Sequence, residues 1–193
     1  MEYNIFRAPI DNDRIIKEQW YAAGYDKSVI RVYDTFVKKE DEGISIRSSA
    51  VISAPHVQKI IEFQVSWKVS LSGKINMKLE ATRNVEMPYL PRFGLRLFLD
   101  ERMDQVEYFG YGPYENYSDK HQSSYLGLFR TDAETMHENY IRPQGEWQAD
   151  VGCRYGKVFG SGVHWSIISK KDFSISVSNI HKKSCVQKDI ILN

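Results

Sequence analysis

The sequence predicts an all-β fold of antiparallel strands, and three observations carry that prediction. Residues 60–71, IIEFQVSWKVSL, set Ile61, Phe63, Val65, Trp67, Val69 and Leu71 on one side and Glu62, Gln64, Ser66, Lys68 and Ser70 on the other. Period-two alternation marks a strand with one face buried and one in water. Beyond Ser72-Gly73, KINMKLEAT repeats the pattern, with Ile75, Met77, Leu79 and Ala81 inward and Lys74, Asn76, Lys78 and Glu80 outward, so the two segments read as a hairpin. Weaker copies lie at 29–37, 43–52, 93–99, 104–109, 157–168 and 172–180. About eight strands at this spacing imply an antiparallel sandwich or barrel.

One short helix interrupts the strands. Ile16, Trp20 and Ala23 fall on one helical face, Asp11, Asn12 and Asp13 suit the N-cap, and Gly24 suits the position just past the end, so a helix is expected over residues 14–23. No composition shift, linker or internal repeat divides residues 1–193, which read as a single domain. Both ends read as cut, because the first strong strand comes late and the last residues follow a strand closely.

Composition narrows the partners. With 42% apolar residues the chain can bury a core, and 26 basic against 25 acidic side chains leave little net field, which argues against nucleic acid as the main partner. Lys170-Lys171 and Lys182-Lys183 read as solvated loop charges. Neither a spanning helix nor a signal peptide is visible, so no membrane partner is expected and the compartment stays open, with the cytoplasm favoured. Cys153 and Cys185 fit no disulfide framework or zinc spacing and read as two thiols in a reducing compartment.

The polar side chains leave alternatives open. A glycosidase needs two carboxyl groups facing across a sugar, and by residue type Glu115 with Asp119, or Asp11 with Asp13, are candidates. The same residues serve equally as helix caps and turn ligands. The five histidines show no metal or triad spacing, and GYG and GSG are too short to cradle a phosphate. Tyr108, Phe109, Tyr111, Tyr114, Tyr117 and Tyr125 crowd one segment, as a sugar-binding surface or the end of a sheet would.

Four motifs then fall in one order: FRAPIDND at 6–13 followed by EQWYAAGYD, LPRFGLRLFLD at 90–100, VEYFGYGPYENYSDK at 106–120, and YIRPQGEWQADVGCRYG at 140–156. Together they resemble the C-terminal small-chain domain of glycoside hydrolase family 2 β-galactosidases over nearly the whole chain. The resemblance implies a large antiparallel supersandwich of the galactose mutarotase type. It also implies a non-catalytic role: completing one wall of the galactose pocket beside a catalytic barrel domain of the same polypeptide. That barrel would carry the catalytic glutamates and a divalent metal such as magnesium, leaving no catalytic residue and no cofactor in this chain. The galactose-platform tryptophan of the family lies beyond the last residue here, so Trp147 and Trp165 are not its equivalents.

Within the resemblance, Arg7, Asp11, Asn12 and Asp13 support a substrate-side loop. Gly110, Gly112, Pro113, Glu115, Asn116, Tyr117 and Asp119 form the signature turn, with the glycines permitting close backbone approach and Glu115 and Asn116 tying the turn down. Glu146 and Arg154 align with a further motif. Two other readings stay open: a stand-alone aldose epimerase of the same fold, and a carbohydrate-binding module.

Overall fold

A computed structural model describes residues 2–55, 59–100, 102–117, 120–136, 140–141, 149–177 and 186–191. The chain is all-β, with antiparallel pairing throughout the described strands, and divides into two compact units. Residues 15–90 form one; residues 1–14 and 91–193 form the other. No helix among the described residues is long and apolar enough to cross a membrane.

In the second strand-forming stretch and onward, the unit of residues 15–90 is a meander. After β1 (Glu2–Asn4) come β2 (Val29–Glu40), β3 (Gly43–Ser53), β4 (Lys59–Ser70) and β5 (Ile75–Arg83), and β2 to β5 form a four-stranded sheet in sequence order. The predicted hairpin is present in register, Phe63 opposite Ala81, Val65 opposite Leu79 and Trp67 opposite Met77. On the same face Ala50 and Ile52 of β3 lie opposite Phe63 and Ile61. Burial fades along this face: Ile61, Phe63 and Val65 are buried, Trp67 and Val69 half-buried. Three residues expected inward depart from the pattern. Leu71 is 86% exposed because β4 stops at Ser70 and Leu71 enters the turn, while Ile75 and Ala81 lie exposed on β5, an edge strand of the sheet.

The helix is shorter than expected. Asp11–Asp13 form their own 3-10 turn, and α1 (Lys17–Ala22) starts after Ile16, so the three acidic and amide residues do not cap it. The physical reason is that the Asp13 carboxylate is already engaged by Arg7 and by the Ile10 N–H. The expected face is correct: Trp20 and Ala23 are buried, and Trp20 Nε1 donates to Tyr89 O at 2.8 Å. Gly24 ends the helix with φ 70°, left-handed backbone that glycine adopts without strain.

The other unit holds β1 with β6 (Gly94–Leu99), β7 (Gln105–Gly112), β8 (Tyr125–Asp132), β9 (Ala149–Gly160), β10 (Val163–Val177) and β11 (Val186–Ile191). They form one sheet in the order β1-β6-β11-β10-β9-β7-β8. Strand 157–168 of the sequence reading is two strands. Ser161 (φ 48°) and Gly162 (φ 81°) turn the chain between β9 and β10, so the last two residues of GSG form a two-residue hairpin turn and Gly160 ends β9. Segment 172–177 continues β10, residues 178–180 lie outside the described residues, and Lys170-Lys171 sit in β10 at a register shift, not in a loop. Lys182-Lys183 and Cys185 also lie outside the described residues.

Candidate functional site

The signature turn is held by buried polar groups. Strand β7 carries Tyr108, Gly110 and Gly112 on one face, and the chain then crosses a cis Gly112-Pro113 peptide into the turn. Gly110 is required by close approach, since a Cβ there would sit 2.6 Å from Cys153 Sγ. Asn116, fully buried, donates through Nδ2 to Tyr111 O (2.9 Å), Tyr114 O (3.0 Å) and Asp150 Oδ1 (3.2 Å). Its Oδ1 accepts from Val151 N at 3.0 Å. One side chain thereby closes the turn on itself and fastens it to the start of β9. Asp150 is buried too, and its backbone oxygen accepts from the Cys153 thiol at 3.3 Å.

Glu115 stands beside this knot, 1% exposed. Its Oε1 accepts from Tyr140 OH at 2.8 Å, Lys120 Nζ lies 3.9 Å away, and Tyr117 also hydrogen-bonds the carboxylate. Lys120 Nζ in turn donates to Tyr140 OH at 2.5 Å. A buried carboxylate is stable only when its lone pairs are occupied; two phenol hydroxyls donate to this one, and the Lys120 charge stands nearby. The phenols respond: burial, followed by the Glu115 charge, pushes the Tyr117 hydroxyl well above the usual tyrosine range. Burial and then the Asp150 charge do the same to Tyr108.

The segment before the 3-10 turn forms a second clasp. Arg7 grips Asp13 with both guanidinium nitrogens, Nη1 to Oδ2 and Nη2 to Oδ1 at 3.1 Å, while Ile10 N donates to Oδ2 at 2.9 Å. Planar two-point pairing of this kind fixes geometry as well as charge. Asp13 is buried in the clasp, whereas Asp11 and Asn12 are exposed beside it. The Arg7 charge also reaches Tyr117, where it opposes the upward shift. Two motifs about a hundred residues apart in sequence are thus neighbours in one unit.

Placement of the remaining candidates is uneven. Asp119, Glu146 and Trp147 lie outside the described residues, and Arg154 is exposed on β9. The sequence reading missed Asp150 and Tyr140, the partners of Asn116 and Glu115. Both stand inside the quoted motif at 140–156, yet the spacing within one strand carries no sign of a partner on another. A groove of about 430 Å³ lined by Lys59, Ile60, Glu62, Thr82, Arg83 and Asn84 belongs to the unit of residues 15–90 and holds none of the candidates. Among the described residues no cluster of His, Cys, Asp or Glu is arranged to hold a metal ion.

Three buried carboxylates therefore stand in the described site, and each is committed to donors within the chain: Asp13 to Arg7, Glu115 to two tyrosines, Asp150 to Asn116. Comparison with known proteins agrees with the ordered motifs. Residues 1–189 match the family described as "Beta galactosidase small chain". The chain is 34% identical over 188 residues to the beta-galactosidase of Actinobacillus pleuropneumoniae, covering 97% of this chain and 18% of that protein. It is 37% identical over 141 residues to the beta-galactosidase of Staphylococcus xylosus, covering 73% of this chain and 14% of that protein. The beta-galactosidase of Streptococcus thermophilus is 30% identical over 152 residues, covering 78% and 14% respectively. The chain thus spans less than a fifth of the length of these relatives, and on the family match along almost all of its residues it belongs to the beta-galactosidase small chain family.

Proposed function

We propose that the chain acts as a non-catalytic domain of a β-galactosidase, completing a wall of the pocket in which terminal non-reducing β-D-galactosides are hydrolysed with retention. The observation that carries this reading is the match along nearly the whole chain to relatives so named, of which it spans only 18% or less. Retention requires a nucleophilic carboxylate and an acid carboxyl facing the same glycosidic bond. Asp13, Glu115 and Asp150 are buried and saturated by internal donors, a state suited to holding backbone in place and unsuited to attack on a sugar. The catalytic pair and a divalent magnesium site would then belong to a barrel domain of the same polypeptide, and no step of the reaction passes through a metal held by this chain.

In this reading the Arg7–Asp13 clasp is a positioning device. It holds Asp11 and Asn12 outward at the edge of the unit, where they would border the substrate-side loop. The test is transplantation: the matching segment of the Actinobacillus pleuropneumoniae beta-galactosidase is replaced by this chain and nitrophenyl galactoside hydrolysis is followed. A folded chimera should retain hydrolysis, and Asp11→Ala with Asn12→Ala within it should raise KM severalfold while leaving kcat within about threefold. A folded chimera without hydrolysis, or one whose KM ignores the double substitution, would overturn the wall assignment.

A further inference from the structure

Strand β2 is an edge of the four-stranded sheet, and all 12 of its residues are exposed. Phe36 is 70% exposed and projects from a polar neighbourhood. On its face β2 carries Asp34, Phe36 and Lys38, and the paired residues of β3 are Ser49, Arg47 and Ser45. Packing within the sheet does not explain a phenylalanine there. Neither Asp34 nor Lys38 forms an ion pair within the described chain. A long unpaired edge of this kind is a template for another strand.

We propose that two copies of this chain pair antiparallel through residues 34–38 of β2 about a two-fold axis at Phe36. Paired residues of an antiparallel ladder project from the same face, so in the regular stretch 34–40 the axis passes through a residue. With the axis at Phe36, the two phenylalanines meet, Thr35 lies opposite Val37, and Asp34 lies opposite Lys38 of the second copy, twice over. Moving the axis to Thr35 sets Asp34 against Phe36; moving it to Val37 sets Asp34 against Glu40; moving it to Lys38 sets the two lysines together. An axis at Lys39 sets Lys38 against Glu40 but brings the two Lys39 side chains together, so the axis at Phe36 is the register with opposite charges paired and no like charges meeting. Tyr33 lies at the register shift between Val32 and Asp34, which ends the ladder on that side and keeps the contact short. The association is accordingly a weak, reversible, isologous dimer.

Sedimentation of the 193-residue chain over rising concentration tests this. The expected result is a monomer–dimer equilibrium that Phe36→Lys abolishes. Asp34→Lys alone should weaken it roughly tenfold, because both cross-strand pairs become like-charged. Asp34→Lys combined with Lys38→Asp should restore it. These side chains are exposed, so each variant is expected to keep the wild-type circular dichroism. A chain that stays monomeric at every concentration, association indifferent to Phe36→Lys, or a folded double exchange that fails to restore pairing would overturn the proposal.

Discussion

In the sheet of β2 to β5, neighbours in sequence are neighbours in space, and one apolar face runs through Ile52, Ile61, Phe63 and Val65. In the seven-stranded sheet, β1 pairs with β6 and β6 with β11, and the polar knot joins residues 34 apart, Asn116 and Asp150. The first region is held by transfer of apolar surface from water, which is additive and tolerant. The second depends on satisfying buried donors and acceptors, where one missing partner strands several groups at once. Alternation writes the first into local sequence; the second becomes visible only when distant segments meet.

The sharpest way to break this contrast is a pair of substitutions, one in each region. Phe63→Ala, at a side chain 2% exposed between Ala50 and Ala81, should cost about 4 kcal/mol in urea unfolding. Asn116→Ala should cost about 3 kcal/mol, because it leaves the Tyr111 and Tyr114 carbonyls, Val151 N–H and Asp150 short of a partner. Hydrogen exchange should show Phe63→Ala loosening amides of residues 29–83 first and Asn116→Ala loosening those of β7 and β9 first. Equal loosening in both would contradict the division.

A smaller effect sharpens the comparison through pH. The hydroxyls of Tyr108 and Tyr117 are raised, chiefly by burial and next by Asp150 and Glu115. A raised folded value means the neutral form is favoured on folding. Its contribution is fully present below the ordinary tyrosine value of about 10 and is lost as pH climbs above it, at up to roughly 1.4 kcal/mol per pH unit for each group. Tyr25, in the other region, is also raised by burial, with Arg83 opposing the shift. Stability between neutral and strongly alkaline pH should therefore fall, and Tyr117→Phe should flatten the fall relative to the wild-type chain. An unchanged pH profile in that variant would contradict the burial account.

How far the sequence could be read follows from the same physics. Strands β2 to β7 were legible because their side chains alternate in sequence, a pattern that in β4 and β7 records one buried face, whereas β2 is exposed along its whole length. Strand β8, Tyr125–Asp132, was not: Leu126 and Leu128 lie opposite Tyr111 and Phe109, while Phe129 on the other face packs against Tyr108, so apolar side chains fall on both faces from Tyr125 to Phe129 and no alternation shows. β1 and β11 are short and take their places from distant partners. In the site, Asn116 was recognisable as a residue that ties the turn down, and Gly110 as one that permits close approach, although Gly110 lies within β7 and not in the turn; the helix-cap reading of Asp13 failed because Arg7 had already engaged its carboxylate. Local chemistry proposes a role for each polar group, and the nearest strong partner decides it.

In the role we propose, this chain supplies scaffold and pocket wall, with no catalytic pair of its own. The most direct test is nitrophenol release from a nitrophenyl β-galactoside by the purified chain alone, compared with its Glu115→Gln variant. No turnover above buffer in either protein is the predicted result. Turnover by the wild-type chain that Glu115→Gln abolishes, in a variant that remains folded, would make Glu115 catalytic and contradict the account.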